Sequence, residues 1–165
     1  MWVKTILLGG GLFFSTFAMA QSPVKGKIEM KTLTNDANHA WFYAGINKYQ
    51  PNDKAVDYLK SNNTKYKIVA ITGTTDDNSK KLLPAFYKTM ILSSWPDDNI
   101  ELYAADDKLQ TGDNKGQSFK AKKLPTFVVL KEGKEVGRVA GDINESIEKD
   151  LAVIIFNSNK KSEEK

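Results

Sequence analysis

Asp76 and Asp77 stand side by side where an apolar run, Tyr66 to Thr72, gives way to a helical pattern, and Ser79 follows two residues later. Carboxylates at such a junction can do two things. They can cap the helix, accepting its unpaired amide N–H groups and complementing its dipole, for about 1 kcal/mol. Alternatively, they can hold a fixed anion ready for a ligand. Ser79 would need a base to act as a nucleophile. None lies near it in sequence, and no Gly-x-Ser-x-Gly turn surrounds it, which argues against a serine hydrolase. The chain contains no cysteine, so disulfide exchange and thiolate metal sites are excluded. With His39 the only histidine, a transition-metal site would have to rest mostly on carboxylates. The pairs Asp76-Asp77, Asp97-Asp98 and Asp106-Asp107 lack the spaced acids of a dedicated calcium loop and read as turn acids. No metal and no cofactor is expected.

Several elements must position these residues. Ile28 to Leu33 carries a weak strand signal, and Ala37 to Tyr49 is a mixed stretch with Trp41, Phe42 and Tyr43. Pro51 suits a first helical position, with Ala55, Val56 and Leu59 as the apolar stripe and Ser61-Asn62-Asn63 as the stop. Tyr66 to Thr72 is apolar and β-branched, as in a central strand buried on both faces. Leu82, Leu83, Phe86, Tyr87, Met90 and Ile91 form one wide helical face, which Pro84 should kink. Ile100 to Ala104 is a further strand, Asp106 to Gly116 a polar loop, and Gln117 to Ala121 one helical turn. Phe127–Leu130 and Glu135–Val139 form a hairpin around Glu132-Gly133, entered through Leu124-Pro125-Thr126. Asn144 is a candidate cap for a last helix bearing Ile147, Leu151, Ile154 and Ile155, and residues 157–165 form a charged, frayed tail. This order implies an α/β fold, a mixed central sheet flanked by helices on both faces.

The start of the chain reads as a processing signal. Lys4, the apolar run Ile6 to Phe17 and the small-x-small step Ala18-Met19-Ala20 predict a signal peptide over residues 1–20, cleaved before Gln21. The apolar run is shorter than the roughly 20 residues of a membrane span, so no stable membrane insertion is expected after cleavage. A periplasmic or secreted protein follows from this reading. The net charge of +4 is spread over interspersed Lys and acid, which argues against nucleic acid as partner.

Order and local motifs together resemble the thioredoxin-like family, over roughly Trp41 to Phe156, with residues 21–40 as an N-terminal extension. The loop Gly73-Thr74-Thr75-Asp76-Asp77-Asn78-Ser79-Lys80 is similar to the Gly-Thr-Trp-Cys-x-Asp-Ser-Lys loop of exported members, matching at Gly, Thr, Ser and Lys. Pro84 follows Ser79 by five residues, as a kinking proline does in the family, and Pro125 before Thr126 matches its cis-proline. The departures fall on the chemistry. Thr75 replaces the tryptophan, Asp76 the nucleophilic cysteine, Ser79 the resolving one, and Ala70 a buried carboxylate. The resemblance therefore implies a scaffold without catalytic residues and not an enzyme. Its groove, at Thr74, Thr75, Asp76, Asp77, Ser79, Leu124 and Pro125, would bind an extended peptide or envelope protein through main-chain groups at Leu124. The alternatives are an accessory role in thiol–disulfide homeostasis and a purely structural envelope domain.

Overall fold

The computed structural model describes residues 24–35 and 37–164; the signal-peptide reading of residues 1–20 lies outside the described residues. The chain forms a five-stranded mixed sheet with helices, an α/β architecture. Its elements are β1 (Gly26–Ile28), α1 (Met30–Asn35), α2 (Ala40–Lys48), α3 (Asp53–Lys60), β2 (Lys67–Thr72) and α4 (Asp77–Leu92), followed by β3 (Ile100–Ala104), α5 (Asn114–Ser118), β4 (Thr126–Lys131), β5 (Lys134–Ala140) and α6 (Ile147–Glu163). The strand order is β1-β3-β2-β4-β5. Only β2 and β3 run parallel; β1, β4 and β5 are antiparallel to their neighbours.

The alternation along each strand divides the core in two. Ile68, Ala70, Leu102, Phe127 and Val129 face one side, where they pack with Phe42, Leu59, Leu83, Phe86, Leu151 and Ile155 from α2, α3, α4 and α6. Val69, Ile71, Tyr103, Val128 and Leu130 face the other, covered by Phe119, Ala121 and Leu124. Helices thus lie on both faces, but unequally, because among the described residues the second face carries only the five-residue α5 and the loop after it.

Pro84 lies inside α4, yet the helix runs unbroken through it. Its ring is buried against α2, where Gly45 makes room; a Cβ on Gly45 would sit 2.6 Å from the Pro84 Cβ. Three N-terminal expectations change. The strand expected at Ile28–Leu33 is the shorter Gly26–Ile28, and Met30–Asn35 is helical. The mixed stretch holds a regular helix, α2, whose Phe42 and Ile46 are buried. Asn52, after Pro51, caps α3 by accepting the Ala55 N–H at 3.1 Å. Two C-terminal ones change as well. Ser146 rather than Asn144 precedes α6, because Asp150 draws the Asn144 N–H into a 2.7 Å bond. The residues read as a frayed tail continue α6 to Glu163, held by Asn159 accepting from the Tyr66 hydroxyl at 2.7 Å and by Lys131 on Ser162. The one expected helical turn lies earlier, at Asn114–Ser118, capped by Asp113.

On the second face, Glu101 is buried and its carboxylate accepts from Lys67 and Lys115, each at 2.7 Å, and from the Tyr103 hydroxyl at 2.8 Å. Burial pushes this carboxyl up, but the bonds from Lys115, Lys67 and Tyr103 outweigh it, leaving it lowered from 4.5 to about 2. A carboxyl lowered on folding stabilises in full above its ordinary value and stops doing so as pH falls through its folded value. Acid unfolding followed by circular dichroism should therefore show wild type more stable than a Glu101→Gln variant at neutral pH, with the two curves converging toward pH 2. Curves separated by a constant offset at every pH would contradict this role.

Candidate functional site

β2 and β3 both end at one edge of the sheet, where Thr72 pairs with Ala104, and β4 begins there at Thr126. This edge gathers the residues singled out in the sequence. Thr72 leads into Gly73, and Asp76 caps α4 by accepting the Ser79 N–H at 2.6 Å. The capping reading of Asp76 therefore holds. Ser79 is fully buried and its hydroxyl accepts the Gly73 N–H at 3.0 Å, so it closes the loop rather than facing solvent. Thr74 is buried, while Thr75 and Asp77 are exposed. Thr75 donates to the Asp107 carboxylate at 3.3 Å.

The second loop meets the first directly. Leu124–Pro125 is a cis peptide bond, and the Pro125 carbonyl accepts the Gly141 N–H at 2.8 Å. Gly73 is where the loops touch. A Cβ there would lie 3.2 Å from Leu124 Cδ1 and 2.9 Å from Asp76 Cβ, so a larger residue would push them apart. All seven of the residues read from the sequence are thus brought to one end of the sheet, Thr74 to Asp77 and Ser79 on one loop and first helical turn, Leu124 and Pro125 on the other.

One residue escaped the sequence reading. The Asn78 side-chain amide donates to the Leu124 carbonyl at 3.3 Å and to the Gly141 carbonyl at 2.8 Å, tying α4 to both neighbouring loops. Nothing in its local sequence marks it, since an asparagine in a first helical turn is ordinary there. Its consequence is specific. The Leu124 carbonyl, expected to be open to a peptide, already has a partner, whereas the Leu124 N–H has none among the described residues. The end also carries charge. Lys123 pairs with Asp142 at 2.8 Å, Lys25 with Asp106 at 2.5 Å, and Asp77 makes no ion pair among the described residues.

No group of three or more His, Cys, Asp or Glu side chains is placed to hold a metal among the described residues. None of the helices there is long and apolar enough to cross a membrane. The site can therefore offer the Leu124 N–H as a backbone donor, the half-buried Leu124 side chain and the exposed Asp77 carboxylate, all suited to non-covalent contact.

No protein-family model and no curated protein matches the chain. Two solved structures are similar to it. One is a protein of unknown function from Pseudomonas aeruginosa, 14% identical, with a TM-score of 0.60 over 81% of this chain and 93% of that one. The other is an HIV epitope scaffold, 14% identical, with a TM-score of 0.59 over 79% of this chain and 93% of that one. At such identity the likeness is one of fold.

Proposed function

We propose that this chain is an exported, thioredoxin-like protein without redox chemistry, which binds an extended polypeptide non-covalently at the groove between residues 73–79 and 124–125. The thioredoxin-like reading is supported by the meeting of those two loops at one sheet end and by Pro84 five residues after Ser79 within α4. Redox inactivity follows from composition, because disulfide exchange needs a thiolate and the chain has no cysteine.

The observation that carries peptide binding is the Leu124 N–H, which has no partner among the described residues and belongs to the loop that meets Gly73 at this end of the sheet. A peptide carbonyl would satisfy it, in the manner of a strand added at a sheet edge. Because Asn78 holds the Leu124 carbonyl, the added strand gains this donor without a full pair of bonds. With so little area buried, affinity should be micromolar or weaker. Asp77, exposed beside the groove, would favour peptides bearing Lys or Arg, and salt would screen that preference over about 10 Å.

Fluorescence anisotropy with matched lysine-rich and glutamate-rich extended peptides tests this. The lysine-rich peptide should bind more tightly, less so as salt rises, and Asp77→Asn should narrow the gap. Equal binding of both peptides at low salt would contradict it. In an insulin-reduction assay the protein should match a no-enzyme control, and turnover would refute the redox-inactive reading outright.

A further inference from the structure

At the opposite end of the sheet, β1 is shorter than the strand it covers. β3 pairs with β2 from Ile100 to Ala104, but with β1 only from Leu102 to Ala104, because the chain turns into α1 after Ile28. Main-chain groups alternate in direction along a strand. The Ala105 N–H donates to the Thr72 carbonyl at 2.8 Å, so Glu101 and Tyr103 face β2, while Ile100, Leu102 and Ala104 face β1. Ile100 lies past the end of β1. Its N–H is taken by the Asp97 carbonyl, and its own carbonyl has no partner among the described residues. Ile100 lines a cleft of about 440 Å³, within the size range of small-ligand sites, with Ile28, Met30 and Tyr87 as further apolar wall. Two ion pairs at the cleft are already made, Lys67 with Glu101 and Lys31 with Glu29. Asp97, Asp98 and Lys27 also line it, and none of the three makes a salt bridge among the described residues. Lys27 stands opposite Tyr103, three residues along β3 from Ile100, which sets the free cation about 10 Å from the end where the free acids lie.

From these observations we infer that this cleft is a second binding site, for a short zwitterionic peptide of two or three residues with apolar side chains. Its ammonium group meets Asp97 and Asp98, a main-chain N–H donates to the Ile100 carbonyl, and its carboxylate meets Lys27. The charges set the direction, with the peptide lying parallel to β3 along the edge that β1 leaves uncovered. Its apolar side chains lie against Ile28, Met30 and Tyr87. The length follows from the separation of the charges. A free amino acid carries both on one residue, whereas two or three extended residues reach about 7–10 Å. The site does not rest on the groove at Leu124, since the two lie at opposite ends of the sheet and share no residue.

Amide spectra of the isotope-labelled protein, titrated with trileucine, triglycine and free leucine, test this. Saturable shifts should centre on residues 28–31 and 97–101, with trileucine binding more tightly than the other two. N-acetylation of trileucine should weaken binding roughly fivefold, and so should replacing both exposed acids, Asp97→Asn with Asp98→Asn. Amidation of the peptide's carboxylate should weaken binding to wild type by a similar factor but make no difference to a Lys27→Ala variant, whose altered side chain is exposed. Four results would overturn the inference: no saturable shift, shifts centred on residues 73–79 and 123–126, equal binding of free and acetylated trileucine, or an amidation effect that survives in Lys27→Ala. Leucine or triglycine binding as tightly as trileucine would likewise contradict the length and the apolar wall.

Discussion

A Phe86→Ala variant should lose about 3–5 kcal/mol of stability, the range for deleting a buried phenylalanine and leaving a cavity. Phe86 is fully buried, and its ring lies 4.7 Å from that of Phe127, centroid to centroid, with 32° between the planes. The pair joins α4 to β4 behind the groove. Asp76 and Asn78 sit at the head of that helix, and Leu124 and Pro125 immediately precede that strand. The loss should therefore reach the site as well as the core. Urea unfolding measures it as a lower midpoint with little change in slope, and heating as a melting point lower by roughly 10 °C or more. A loss under about 1 kcal/mol would mean that the α4–β4 contact is not what fixes the groove.

Glu148→Ala should be nearly as damaging, at about 3 kcal/mol. The Glu148 carboxylate is buried and accepts from the Ser146 hydroxyl at 2.6 Å, the Tyr49 hydroxyl at 2.7 Å and the Asn52 N–H at 3.0 Å. Removing it strands three donors in a poorly solvated place and unpins the head of α6 from the turn between α2 and α3. A Tyr49→Phe variant, which deletes one donor and strands none, should cost much less, and this contrast separates lost hydrogen bonds from lost packing. Burial pushes the Glu148 carboxyl up, but bonds from Ser146, Tyr49 and Asn52 prevail and hold it below its ordinary value. Its contribution is then complete above the usual carboxylate range and disappears as pH falls through the lowered value. The gap between wild type and Glu148→Gln in urea midpoint should accordingly shrink on acidification. A gap that widened with acid would contradict the assignment.

How much of this was legible depended on where burial is periodic. β2, α4 and the β4–β5 hairpin could be read because their apolar residues repeat at the period of the element they form, and tertiary packing reinforces what local preference already favours. The N-terminal part could not. Trp41-Phe42-Tyr43 gives no helical stripe, and α2 exists because Phe42 stacks on Tyr87, with ring centroids 5.5 Å apart, and because Gly45 admits Pro84. Those are contacts across more than thirty residues, invisible to a window along the chain. The end of α6 escapes such a window for the same reason, since two of its polar residues, Asn159 and Ser162, bond back to Tyr66 and Lys131. At the groove, spacing from Pro84 and the Pro125-Thr126 step located both loops. The bridging role of Asn78 depends on carbonyls from Leu124 and Gly141, so only the folded chain reveals it.

The central claim is that a cysteine-free groove still binds a polypeptide through its main chain. Amide chemical shifts of the isotope-labelled protein, followed while a lysine-bearing extended peptide is added, test this most directly. The account predicts saturable shifts centred on residues 73–79 and 123–126, the Leu124 N–H among the largest. Saturable shifts centred instead on residues 41–49, with Leu124 unmoved, would contradict it and place the interaction surface on the N-terminal helices.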